Sequence, residues 1–204
     1  MCIRDSVQTI HAFADPIRNE DVPQSLRENN PSIVLLGPLA GELDPSIADL
    51  FPNSLMGVVP QGWMRRWDER GHVSQRPIDC ADELLRFADV MVVSTEDVGH
   101  DISLAQCYAE TVPVLVLTRG LHGADVYAGG HVTHVRPRRA IEVDPTGAGD
   151  TFTAAFLIYY QETGDPIKAT RFANIAASFS VEGLSYSTTP TRAQVEAFLA
   201  EHGW

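Results

Sequence analysis

Between Asp144 and Asp150 the chain reads Asp144-Pro145-Thr146-Gly147-Ala148-Gly149-Asp150, and an apolar helical run from Thr151 to Tyr160 follows at once. Small residues permit close backbone approach. A helix opening directly behind them would aim the free N–H groups of Gly147, Ala148 and Gly149 at one point. The helix dipole adds partial positive charge there, so a phosphoryl group or a developing oxyanion is the expected occupant. Asp150 makes chemical sense beside such an anion as a base. It would take the proton of a substrate hydroxyl while the neighbouring amides stabilise the transferring phosphoryl group. The plainer alternative is a loop in which Asp serves as the helix N-cap.

The same seven residues resemble the D-T-x-G-A-G-D signature of the ribokinase or PfkB family of sugar and nucleoside kinases. Pro145 stands where the family varies, and the match runs on through Phe152. The resemblance implies that Asp150 is the catalytic base and that the Gly147, Ala148 and Gly149 amides form the anion hole. The T-x-G-x-x-G pattern from Thr118 to Gly123, by itself only a glycine-rich turn, resembles the family's nucleotide-contacting turn. Thr118 and Gly120 would then face the ATP phosphates or ribose, and Gly123 would supply the bend. Asn174 falls where the family places a residue near the adenine; its plain alternative is a solvent-exposed Asn.

Thr95-Glu96-Asp97 stands at the tip of an apolar run that reads as a strand, and carboxylates outside strand C-termini are candidates for holding a hydrated Mg²⁺. Glu96 matches the Glu of the family's N-x-x-E or N-E motif, whereas Thr95 stands where Asn is usual. The alternative is an acidic N-cap for a helix beginning near Asp101. Asp144 and Thr146, with Val181 to Ser187, resemble the region where some members bind a monovalent cation such as K⁺.

The resemblance thus implies an ATP- and Mg²⁺-dependent transfer of the γ-phosphoryl group to a hydroxyl of a small sugar, polyol or nucleoside. It covers roughly Ile33 to Leu199. The family's N-terminal G-G substrate motif and lid strands have no counterpart, and the chain looks short at its N-terminus. An alternative is therefore a nucleotide-binding fragment without catalytic competence. A homodimer in the full-length form is compatible with the resemblance. No G-x-x-x-x-G-K-[S/T] loop is present, and no G-x-G-x-x-G follows the first strand, which argues against P-loop kinases and dinucleotide-binding dehydrogenases.

The 204 residues suffice for a sizeable core in one domain. Net charge is −12, from 27 acidic and 15 basic residues without a Lys/Arg-rich run, which disfavours nucleic acid or an anionic membrane as partner. The 3 cysteines, Cys2, Cys80 and Cys107, are widely spaced with no C-x-x-C pair. That pattern favours a reducing compartment over a disulfide framework or a zinc site. No apolar run has the length of a membrane span and no signal-peptide pattern opens the chain, so the cytoplasm is the default.

The elements that must position these residues read as alternating strands and helices, the pattern of a mostly parallel, doubly wound sheet with helices on both faces. Residues 1–6 read as a non-native leader, and 7–204 as one ribokinase-like α/β domain. Strands are expected over Val7 to Phe13, Ile33 to Leu36, Leu55 to Val59, Asp89 to Ser94, Val112 to Thr118, Ala124 to Tyr127 and His131 to Val135. His131 and His134 read as exposed. Asn19 to Pro31 reads as a connecting segment and Gln61 to Trp67 as a surface loop packed by its own aromatics, with contact to a ligand by its two tryptophans and two arginines as the alternative.

Helices are expected after Asp44-Pro45, over Ala81 to Ala88, after Asp101, after the motif, after Asp165-Pro166, and after a Thr191/Gln194 capping box. In the helix after the motif, Phe152, Ala155, Phe156 and Tyr159 form one apolar stripe. In the next, Ala169, Phe172, Ala173, Ala176 and Phe179 do the same.

Overall fold

Apolar runs whose successive residues point to opposite faces can be buried on both sides of a sheet only if helices cover each side. The computed structural model describes residues 8–79 and 84–203. In chain order it contains helix α1 (Gln24–Asn29), strands β1 (Ile33–Leu36), β2 (Leu55–Val58), β3 (Arg65–Trp67) and β4 (Val73–Gln75), helix α2 (Leu84–Phe87), strand β5 (Val90–Ser94) and helix α3 (Ile102–Ala109). Strands β6 (Val114–Thr118), β7 (Ala124–Ala128) and β8 (His131–Val135) follow, then helices α4 (Ala148–Thr163), α5 (Pro166–Ser180) and α6 (Arg192–His202).

Six strands form one sheet in the order β1-β2-β5-β6-β7-β8. The pairings from β1 to β6 are parallel, and β7 and β8 extend the sheet as consecutive antiparallel neighbours joined by Gly129-Gly130. The α/β class, the mostly parallel sheet and the helices on both faces are as the sequence suggests.

Met91, Val93, Leu115 and Leu117 face one side and pack with Leu85, Ala105 and Tyr108. Val90, Val92, Val114 and Val116 face the other and pack with Phe152, Phe156, Leu157, Ala169 and Ala173. Each such side chain contributes about 1.5–3 kcal/mol on leaving water. The hydroxyl of the fully buried Tyr108 donates to the Ile78 carbonyl at 3.0 Å and accepts the Ile78 N–H at 3.1 Å, which ties the segment after β4 to α3.

Helix α4 is seated by a close approach. A Cβ on Gly57 of β2 would collide with the Leu157 methyls, so the missing side chain lets α4 lie against the sheet. The predicted caps form: Asp165 accepts the N–H groups of Ile167 and Lys168 before Pro166 opens α5, and Thr191 with Gln194 makes a reciprocal box at α6. Asp44 caps Ser46, but the element behind it is a 3-10 helix, Pro45–Leu50.

Several expectations are corrected. Among residues 8–13 there is only an isolated bridge from Thr9 to His72 in place of a strand. The segment read as a connection from Asn19 to Pro31 holds a 3-10 turn and α1. The Gln61 to Trp67 loop is the end of a 3-10 turn followed by β3, which pairs antiparallel with β4. His134 is exposed as expected, yet its Nδ1 lies 2.6 Å from the Asp125 carboxylate.

Cys107 is disulfide-bonded. The cysteine spacing suggests no disulfide framework, and this bond departs from that reading. The leader at 1–6 and the first turn of the Ala81 to Ala88 helix lie outside the described residues. Among those described, no helix is long and apolar enough to cross a membrane.

Candidate active site

Strand β6 ends at Thr118, and the chain reverses through a 3-10 turn, Gly120–His122, into β7. The Arg119 N–H closes the turn on the Gly123 carbonyl at 2.8 Å. Gly123 adopts φ 88°, and a Cβ there would collide with the Val135 carbonyl of β8. Only glycine fits this bend. The Arg119 guanidinium lies 3.0 Å from Asp125, which is 8% exposed and is also held by His134. The Thr118 hydroxyl donates to the Val93 carbonyl at 3.3 Å, and the Thr118 carbonyl accepts the Thr95 N–H at 3.0 Å. The turn is thereby fixed to the tip of β5.

The Gly147 N-cap of α4 has φ 78° and offers no side-chain cap. Asp150 is therefore the third helical residue rather than the cap. Its carboxylate is exposed and makes no hydrogen bond or ion pair among the described residues. The N–H groups of Gly147, Gly149 and Asp150 likewise have no acceptor there, as expected of a first helical turn. Ala148 departs from expectation: its N–H donates to the Pro145 carbonyl at 3.1 Å, so it is not free to meet an anion.

Before the helix, the N–H groups of Val143 and Asp144 both reach the Val181 carbonyl. The Asp144 carboxylate accepts the Ser185 N–H at 2.9 Å and the Thr146 N–H at 3.0 Å. These bonds, the Ser185 one foremost, hold its pKa below the usual carboxylate range.

A cavity of about 570 Å³ lies between the turn and the helix start. It brings together Thr118, Gly120, Gly123, Ala148, Gly149 and Asn174, with Leu121, Phe152, Ala177 and Val181 giving it an apolar wall. Gly147, Asp150, Asp144, Thr146 and Glu96 do not line it. A Cβ at Gly149 would meet nothing within 4 Å, so no packing contact requires glycine at this helical position.

Asn174 is buried, not solvent-exposed. Its amide donates to the carbonyls of Val135 and Arg136, holding the strap that leads from β8 to the motif. On that strap Arg138 pairs with Glu182 at 3.1 Å and lies 4.1 Å over the Phe179 ring. Arg139 lines the cavity, is exposed, and makes no ion pair or hydrogen bond among the described residues. Sequence reasoning passed over Arg139, although three arginines among residues 136–139, a few positions before the motif, were a visible signal.

The acidic tip of β5 divides its work. Asp97 accepts from the N–H and hydroxyl of Ser94, and Asp101 caps α3 through Ser103. Glu96 remains exposed, with its carboxylate 3.3 Å from the Thr95 hydroxyl. Among the described residues, no three His, Cys, Asp or Glu side chains gather as a metal site.

The family profile of the pfkB family carbohydrate kinases matches residues 81–192. The chain belongs to this family. The interval that marks it as a pfkB chain takes in β5, β6, the Thr118 to Gly123 turn, the motif, α4 and α5. Ribokinase of Bacillus subtilis (strain 168) is 37% identical over 101 residues, which are 49% of this chain and 34% of that protein. Inositol 3-kinase of Zea mays is 32% identical over 149 residues, 70% of this chain and 37% of that protein. The chain thus spans about a third of the length of these relatives. The structure of Arabidopsis thaliana ribokinase complexed with ribose and ATP matches with a TM-score of 0.69 at 24% identity, covering 93% of this chain and 61% of that one. This likeness fixes the ribokinase-like fold.

Proposed function

We propose that this pfkB-family chain carries the phosphoryl-donor half and the catalytic base of an ATP-dependent phosphotransferase. Its acceptor is the hydroxyl of a small sugar, polyol or nucleoside. The observation that carries the reading is the single cavity shared by the Thr118–Gly123 turn and the start of α4, with the free carboxylate of Asp150 at the same helix end.

The residues fit a nucleotide. Phe152, Ala177 and Val181 offer an apolar wall for a base, Thr118 and Gly120 sit where ribose or phosphates would lie, and Arg139 offers a cation. Asp150 takes the proton of the acceptor hydroxyl, and the freed oxygen lone pair forms a bond to the γ-phosphorus. The bond from that phosphorus to its bridging oxygen breaks, and ADP leaves with that electron pair. The unpaired N–H groups of Gly147 and Gly149, with the helix dipole, offset the charge of the transferring group. Mg²⁺ bound with ATP would neutralise the phosphates, with Glu96 its candidate protein ligand. In the same proposal Asp144 and Thr146 would hold a monovalent cation such as K⁺, and residues 7–204 act as one domain.

A second reading is favoured by the chain's span of about a third of its relatives: nucleotide binding without turnover. One experiment separates the two. ADP release is measured over a panel of sugars, polyols and nucleosides, beside ATP affinity, for the wild type and Asp150→Asn. Loss of general-base catalysis should lower turnover by about 10²–10⁴-fold with ATP affinity nearly unchanged. ATP binding without turnover supports the second reading, and absence of ATP binding overturns both.

A further inference from the structure

A second cavity, of about 510 Å³, lies beyond the C-terminal ends of β1 and β2, at the edge of an α/β sheet where ligands collect. Its floor is two strand-end loops in close contact. The Gly62 N–H donates to the Pro38 carbonyl at 2.9 Å, and a Cβ on Gly62 would collide with that carbonyl. Its walls are aromatic and fixed. Trp63 donates its indole N–H to the Leu43 carbonyl at 2.9 Å, and Phe13 lies 4.8 Å from the ring of Trp67.

The charges in this cavity run against those of the chain, whose net charge is −12. Arg65 is half-buried and spends one N–H on the Leu39 carbonyl at 3.2 Å; the Asp97 carboxylate acts on it electrostatically but is not at ion-pair distance. The Arg76 side chain is exposed and makes no hydrogen bond or ion pair among the described residues. The one carboxylate of the lining, Glu42, accepts the N–H groups of Leu39 and Ala40 at 2.8 and 2.7 Å. Two guanidiniums with unused donors line the one cavity, each able to offer its fork to an oxyanion, and flat aromatic walls suit the apolar face of a sugar ring.

We propose that this cavity binds a small carbohydrate carrying an oxyanion group, phosphate or carboxylate, with the ring against Trp63 and Trp67 and the anion on Arg65 and Arg76. That the ligand is also the phosphoryl acceptor rests on the phosphotransferase reading. In that case it narrows the acceptor from neutral sugars to sugar phosphates or sugar acids.

The test is a titration of tryptophan fluorescence with glucose 6-phosphate, gluconate, glucose and inorganic phosphate. A saturable change is expected with one or both anionic sugars, with glucose and inorganic phosphate weaker by about tenfold or more. The two anionic sugars tell phosphate from carboxylate. Arg76→Gln should weaken binding by about tenfold and Arg76→Lys by less, since Lys keeps the charge without the fork. The titration is run without ATP, so the site can stand or fall apart from turnover. The site is refuted by equal binding of glucose, by inorganic phosphate matching the anionic sugars, by no saturable change with either anionic sugar, or by Arg65→Gln and Arg76→Gln both leaving binding intact. Binding without turnover, where the chain phosphorylates another acceptor, overturns the acceptor assignment alone.

Discussion

The carboxylate of Asp144 accepts the backbone N–H of Ser185 at 2.9 Å, across 41 positions of the chain. With Thr146 on its other oxygen, it joins the segment before α4 to the loop after α5. Its pKa is depressed, so its contribution to stability is full above the ordinary carboxylate pKa of about 3.9 and is lost as pH falls through the lower folded value. Asp144→Asn should lower the Tm at neutral pH. The gap between wild type and variant should close below about pH 4, as followed by thermal melts across pH.

Gly149 and Leu157 lie on the same helix with opposite demands. A Cβ at 149 meets open space, so Gly149→Ala should raise stability by about 0.5–1 kcal/mol through helix propensity. If the backbone there is approached by a phosphoryl group, the same change should weaken ATP affinity or turnover. Denaturant midpoints set beside ATP titrations read both effects, and a stabilised variant with unaltered ATP handling would count against a ligand role for this position.

Gly57 leaves room for the buried Leu157 methyls that a Cβ would meet. Gly57→Ala should destabilise by about 1–3 kcal/mol through overpacking, measured by urea denaturation. The double variant with Leu157→Ala should cost less than the sum of the two single changes, because the new methyl fills part of the space the leucine leaves.

Tyr108 sits fully buried with its hydroxyl satisfied twice by Ile78. Tyr108→Phe would leave the buried Ile78 N–H and carbonyl without that partner, at a cost of about 1–3 kcal/mol in equilibrium unfolding. Burial also pushes the phenol pKa up, so this tyrosine should resist ionisation in a spectrophotometric alkaline titration of the folded protein.

The sheet was legible because β5 and β6 are unbroken apolar runs, and the helix starts because Asp165-Pro166 and Thr191 with Gln194 act within one turn of chain. What stayed hidden depends on contacts between distant segments. Strands β3 and β4 are short and polar, and they pair only with each other, so no apolar alternation announces them. Helix α1 buries no residue and carries no stripe. Asn174 is buried because a strap from β8 crosses it, which helical periodicity on α5 cannot express. At the motif, spacing gave the helix start but left open whether Asp150 caps it, and did not show that a turn from Pro145 would occupy the Ala148 N–H.

Strands β6, β7 and β8 are neighbours in both chain and sheet, and α4 packs against the helix that follows it. The surfaces that face the 570 Å³ cavity can therefore be gathered by closing short loops. The parallel pairings of β1 with β2, β2 with β5 and β5 with β6 each require a crossover. Low sequence separation favours early formation, so the donor-side half should be the folding nucleus, with the tryptophan-lined edge consolidating after it.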